Sequence, residues 1–203
     1  MAKKRSITRR NFIGTMAVGG TSVMTGCQSE STPEVAPRDT PSTVTEDENV
    51  YYFGYGSNLN VSATIEDLIP KGKFLMKAYL PNYEVQFRKW SNNYRGGISN
   101  IVEVPGELVQ GAMYECPEGD LMALDYRLDY YVPEYKRETF LVRGEDGKWY
   151  SASLYRLWNP KGPFPPSRRY VEGMLEGAKQ IGLSPDYIEK IEGFLRDSIV
   201  APG

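Results

Sequence analysis

The chain has 203 residues, with 24 Lys and Arg against 26 Asp and Glu for a formal charge of −2, no histidine, and two cysteines, Cys27 and Cys116. Without histidine there is no Ser-His or Cys-His nucleophile, no imidazole base and no His-ligated metal, and a single cysteine beyond residue 27 leaves no intramolecular disulfide or cysteine-rich metal site in the folded part. Chemistry then rests on carboxylates, tyrosines, Lys or Arg and backbone amides, with no metal and no cofactor expected.

The chain opens on an address. Lys3, Lys4 and Arg5 precede Thr8-Arg9-Arg10-Asn11-Phe12-Ile13, a twin-arginine pattern in a basic leader. The apolar stretch 12–24 is diluted by Gly14, Gly19 and Gly20; it is too short and weak for a membrane span and fits a cleavable export signal. Met24-Thr25-Gly26-Cys27 resembles a bacterial lipobox, in which Cys27 becomes the lipidated first residue, and Gln28 after it resembles the pattern of outer-membrane lipoproteins. Residues 1–27 therefore read as a signal peptide. Residues 28–49, polar and acidic with Pro33, Pro37 and Pro41, read as a disordered tether, and 50–203 as one folded domain. The expected location is the cell envelope, on the periplasmic side or cell surface, with the membrane met through the lipid on Cys27. Five of the 24 basic residues lie in the leader, so 19 remain against 26 acidic ones and the mature chain carries −7. Nucleic acid, whose recognition needs clustered cations, is not an expected partner.

In the domain, Val50–Phe53 is aromatic and β-rich and reads as a first strand. It breaks into Gly54-Tyr55-Gly56-Ser57-Asn58, whose glycines permit positive φ and close backbone approach. Successive N–H groups in such a loop make a concave donor site for an anion or a polarised carbonyl; a plain hairpin corner is the other reading of Gly-x-Gly. Ser62–Leu68 follows as a short helix. Lys73–Leu80 and Glu84–Trp90 read as two strands around Pro81-Asn82, and Gly97–Val104 with Leu108–Glu115 as a hairpin about Pro105-Gly106. Cys116, without a basic partner nearby in sequence, reads as a packing residue. Glu118–Arg127 is helical with Leu121 and Leu124 inward, and Tyr135–Arg143 with Trp149–Leu157 form a second hairpin turning at Glu145-Asp146-Gly147. From Ser167 the period becomes helical, with Tyr170, Met174, Ala178 and Ile181 on one stripe closed by Gly182. Ser184-Pro185 opens a last helix as N-cap and first helical residue, with Tyr187, Ile188, Ile191, Phe194, Leu195 and Ile199 as its apolar face. The fold class is mixed α/β, mostly strands with a few packed helices.

The octet Tyr52-Phe53-Gly54-Tyr55-Gly56-Ser57-Asn58-Leu59 resembles the signature loop of the γ-glutamylcyclotransferase family. Further on, Arg95-Gly96-Gly97-Ile98, Pro105-Gly106-Glu107 and Val109-Gln110-Gly111 resemble the family's Gly-Gly-Ile strand, its Pro-Gly-Asp/Glu turn and the strand after it. The segment from Tyr170 to Leu183, with Gly177-Ala178-Lys179 and Gly182-Leu183, is similar to the family's C-terminal helix. The match runs from Tyr51 to about Phe194. It implies a γ-glutamylcyclotransferase-like small β-barrel or sheet with packed helices, two of them C-terminal. The implied reaction is attack of the free α-amine of an N-terminal γ-glutamyl unit on its own γ-carbonyl, giving 5-oxoproline and a released amino acid or amine, with a small γ-glutamyl amino acid or peptide as partner. By the same resemblance Tyr52, Phe53, Gly54, Tyr55, Gly56 and Ser57 line the glutamyl moiety. Tyr170 either places its hydroxyl near the substrate or is a core tyrosine of its helix stripe.

The family's proton-accepting glutamate belongs to a Leu-Asp-x-x-Glu-Gly pattern at a helix end. Here Leu124-Asp125-Tyr126-Arg127 matches without a gap, Leu128 stands at the glutamate and Asp129 at the glycine. A leucine accepts no proton. Either Asp129 takes over as catalytic base from one position further on, or Glu134 swings in after Pro133, or the protein keeps the pocket and has lost the catalysis. Of the two carboxylates Asp129 is the stronger candidate, its ordinary alternative being a solvated helix-end side chain. Two function classes stay open: an exported γ-glutamyl cyclotransferase, and a lipid-anchored protein that binds a γ-glutamyl ligand without turning it over.

Overall fold

In the computed structural model, residues 45–131 and 133–199 are described. The expected signal peptide, Cys27 and all but the last five residues of the expected tether lie outside them. The first strand, β1 (Asn49–Gly54), ends at the glycine loop, which continues as a 3₁₀ turn (Gly56–Leu59) into helix α1 (Val61–Asp67). Asn60 caps α1, its side-chain oxygen accepting the Ala63 N–H at 3.1 Å.

Two long strands carry the barrel, β2 (Lys73–Ser91) and β3 (Gly96–Pro117), antiparallel along their length. The two strands expected around Pro81-Asn82 are one, and the segments flanking Pro105-Gly106 do not pair with each other but both pair with β2. Both breaks fall at one level of the ladder. The register steps from Pro81↔Leu108 to Tyr83↔Glu103, so Asn82, at φ 64, faces the excursion 104–107, and its side chain accepts the Gly106 N–H at 3.1 Å. Opposed irregularities make a bulge rather than two turns, because each strand's interruption is satisfied by the other.

Helix α2 (Glu118–Tyr131) is a turn longer than its sequence signal, so Leu128 and Asp129 are helical. Its first N–H groups, on Glu118 and Gly119, donate to the carbonyls of Glu48 and Glu46 at 2.9 Å each, fixing the segment before β1 against the helix. The hairpin β4 (Tyr135–Gly144) and β5 (Trp149–Leu157) follows as expected. Strand order β1-β3-β2-β4-β5 closes through a short parallel pairing of β5 with β1, Tyr51↔Ala152 and Tyr52↔Ser153. The barrel is the reason the glycine loop is placed firmly: β1 is held on both edges.

Helix α3 (Arg168–Gln180) buries Tyr170, Val171, Met174 and Ala178, and α4 (Pro185–Arg196) buries Tyr187 and Ile191, with Ser184 accepting the Tyr187 N–H as N-cap at 3.3 Å. Gly177 lets α3 rest on the backbone beyond the loop: a Cβ there would lie 2.4 Å from the Leu59 carbonyl carbon. Cys116 is buried beside Tyr114 and Leu121, and burial pushes its thiol up to about 12, in keeping with a packing role.

Candidate active site

Where β1 gives way to the 3₁₀ turn, Gly56 adopts φ +63. That left-handed step turns the Ser57 N–H onto the Tyr170 hydroxyl at 3.2 Å, and the same hydroxyl pairs with Ser99 Oγ at 2.7 Å. Loop, strand β3 and helix α3 therefore converge on one oxygen. The neighbouring tyrosines are anchored from behind. Asn58 bonds the Tyr52 hydroxyl through its amide, Tyr114 donates to Asn58 O at 2.8 Å, Tyr55 to Tyr155 O at 2.6 Å, and Tyr135 to Ser99 O at 2.8 Å.

These side chains enclose a cavity of about 220 Å³, completed by Leu68, Tyr94, Ile98, Leu124, Leu128 and Tyr155. Burial pushes the hydroxyls of Tyr52, Tyr55, Tyr135 and Tyr155 well above the ordinary tyrosine range. They remain protonated at neutral pH and act as hydrogen-bond donors and acceptors, not as tyrosinate bases. Tyr155 also touches a carboxylate: its hydroxyl donates to Asp125 Oδ1 at 2.8 Å or Leu121 O at 3.1 Å, while Arg137 holds Asp125 Oδ2 at 2.9 Å and Glu118 at 2.6 Å.

Of the residues expected at the site, Tyr52, Tyr55, Ser57 and Tyr170 line the cavity; Gly54 and Gly56 are not among its lining residues, though the positive φ of Gly56 sets the Ser57 N–H at its wall. Phe53 does not line it. Successive strand residues face opposite sides, and the Phe53 ring packs across Gly111, where a Cβ would lie 2.4 Å from Cζ. Tyr170 is a buried member of the α3 stripe, and it also lines the cavity. Leu128 stands on the cavity wall. Asp129 continues α2 directly after it, and its side chain lies outside the described residues. Glu134 is not among the lining residues: it is exposed and paired with Lys89 at 2.8 Å, which holds its carboxyl below the usual range. Among the described lining residues there is no carboxylate. Asn58, Tyr94, Ser99, Tyr135 and Tyr155 belong to the wall but were not singled out from sequence as lining it, since each reads locally as loop polarity or strand alternation.

The AIG2-like family matches residues 108–191. Human γ-glutamylcyclotransferase is 30% identical over 151 residues, covering 72% of this chain and 79% of the human one; the bovine protein is 30% identical over 148 residues, covering 71% and 78%. A solved structure of a γ-glutamyl cyclotransferase superposes with a TM-score of 0.66 at 29% identity, over 71% of this chain and 87% of that one. YkqA from Bacillus subtilis, at 21% identity and a TM-score of 0.63 over 76% of this chain and 56% of its own, shares the fold. The closed barrel with its packed helices is thus a γ-glutamylcyclotransferase fold. The chain belongs to the γ-glutamylcyclotransferase family.

Proposed function

We propose that this protein binds a small γ-glutamyl amino acid or peptide in the tyrosine cavity and cyclises its glutamyl unit to 5-oxoproline, releasing the amino acid or amine. The observation that carries the reading is the Ser57 N–H set on the Tyr170 hydroxyl by the positive φ of Gly56, at the wall of a cavity of about 220 Å³. Nucleophile and electrophile belong to one molecule, so the site need only hold a folded conformer, which removes orientational entropy from the barrier. As the γ-carbonyl becomes tetrahedral its oxygen takes on charge, and a fixed donor such as the Tyr170 hydroxyl, itself held by the Ser57 N–H and Ser99, stabilises it. Leu68, Ile98 and Leu124 make part of the cavity wall apolar.

The proton leaving the α-ammonium needs a carboxylate acceptor on α2. Asp129 is the candidate by position, next to Leu128; Asp125 is the one whose setting is described. One observation favours a second reading, a binding protein without turnover: Leu128 occupies the wall where the family pattern has glutamate. Incubation with γ-glutamyl dipeptides separates the two, since the enzyme releases 5-oxoproline and the binder takes up the ligand unchanged. The leader supports export, and the reading adopted is a lipoprotein held at the cell envelope through Cys27.

A further inference from the structure

Leu128 leaves the wall of the cavity without the carboxylate that the family pattern puts there, yet a carboxylate sits one helical turn back. Asp125 and Leu128 are three residues apart on α2, hence on one face, and both border Tyr155. The Tyr155 hydroxyl has one hydrogen and two acceptors inside the protein, Asp125 Oδ1 at 2.8 Å and Leu121 O at 3.1 Å. That hydrogen is committed inward, so a ligand in the cavity meets the oxygen as an acceptor. Arg137, at 2.9 Å from the other carboxylate oxygen and 2.6 Å from Glu118, fixes the orientation of Asp125.

We propose that Tyr155 and Asp125 form a proton relay that replaces the missing glutamate. The proposal rests on the cyclisation reading and makes Asp125, not Asp129, the terminal acceptor. The substrate's α-ammonium gives one proton to Tyr155 Oη as the Tyr155 hydrogen passes to Asp125, so neither tyrosinate nor free charge builds up on the ring. The neutral amine then attacks the γ-carbonyl and the new C–N bond forms. On collapse the old C–N bond breaks. The ring nitrogen gives its surplus proton to the departing nitrogen, and Asp125 returns the first one through Tyr155. The products are the neutral lactam and an ammonium, with the protein back in its starting state.

The test is steady-state kinetics of the full chain on γ-glutamyl dipeptides, reading 5-oxoproline, for wild type, Tyr155→Phe, Asp125→Asn, the double variant and Asp129→Asn. Tyr155→Phe and Asp125→Asn are each expected to lower kcat about a hundredfold or more, with KM and melting temperature near wild type. Because the two act as one unit, the double variant should be no slower than the slower single. Losses that multiply in the double variant would overturn the relay. So would an inactive Asp129→Asn beside an active Asp125→Asn. If Asp125→Asn lowers the melting temperature or raises KM while Tyr155→Phe turns over normally, Asp125 merely holds Arg137 and the relay falls. A wild type that binds the dipeptides and makes no product removes the cyclisation reading itself, a result distinct from all of these.

Discussion

Ser57 and Tyr170 lie 113 positions apart in the chain and meet at the cavity, the backbone N–H of one donating to the hydroxyl of the other at 3.2 Å. Neither reaches that place alone. The amide is turned by Gly56, the hydroxyl is carried by α3, and Ser99 on β3 takes the remaining contact at 2.7 Å. Three separate elements thus fix one hydroxyl at the cavity wall, which is why damage to the loop is expected to be felt first in ligand binding.

Gly56→Val tests that expectation. A Cβ at this position would lie 2.1 Å from Ser99 Oγ and 2.8 Å from Tyr170 Oη, at a φ of +63 that a β-branched residue resists. Strain of about 1–3 kcal/mol is expected, less than the roughly 5–15 kcal/mol by which a folded domain is ordinarily stable, while the Ser57–Tyr170 pair is pushed apart. Calorimetry with a γ-glutamyl dipeptide should find binding lost, and circular dichroism should find the fold kept. A variant that binds like wild type would reduce the loop to a corner.

Much of the architecture is legible in the sequence because its signals are local. The two glycines after a β-rich run, the Glu145-Asp146-Gly147 turn and the Ser184-Pro185 helix start each act within a few residues, and β1, the β4–β5 hairpin and the start of α4 fall where they indicate, although α4 stops at Arg196 and Ile199, expected on its apolar face, instead bridges to Ser167. The ribbon of β2 and β3 is not legible. Pro81-Asn82 and Pro105-Gly106 each carry turn chemistry, and only their meeting across the ladder converts two turns into one bulge. The site divides in the same way. The glycine loop announces itself, whereas Phe53 is misplaced by grouping consecutive strand residues that face opposite ways. Tyr155 and Tyr135 gain their place only when the barrel closes and α2 packs beside them.

The buried hydroxyls make the fold sensitive to alkali. Burial pushes Tyr52, Tyr55, Tyr135, Tyr155 and Tyr187 well up, and Tyr114 and Cys116 up to about 12. In the unfolded chain the same groups ionise at about 9 to 10. Above that pH the unfolded state sheds protons that the folded state keeps, so stability falls as pH rises, by about 1.4 kcal/mol per unit for each such group. Below about pH 7.5 these groups contribute almost no pH dependence. Tyrosinate absorbance of the buried rings should therefore appear together with the loss of far-UV circular dichroism. Full tyrosinate absorbance in a still-folded protein would contradict the burial described.

Leu128→Glu asks whether the wall position still serves a base. On the Tyr155→Phe background, where the relay is cut, the new carboxylate would face the cavity directly. Turnover should recover by at least about tenfold over Tyr155→Phe alone, a small part of what a positioned base supplies. No recovery, with ligand affinity intact, would show that the pocket no longer presents the α-amine to that position.

The leader is tested independently of the site. Arg9→Lys with Arg10→Lys should hold the precursor in the cytoplasm, and Cys27→Ala should move the exported protein from the membrane fraction to the soluble one. Fractionation and immunoblotting read both. Export indifferent to the double lysine change would discard the twin-arginine reading.

The cavity is proposed to close a γ-glutamyl unit into a lactam although leucine stands where the family pattern has glutamate. A mass balance on purified wild-type protein with γ-glutamyl dipeptides tests this directly. 5-Oxoproline and free amino acid are expected in equal amounts, at a rate that falls in Tyr155→Phe. Saturable binding of the same dipeptides, with no 5-oxoproline above the uncatalysed level, would contradict it.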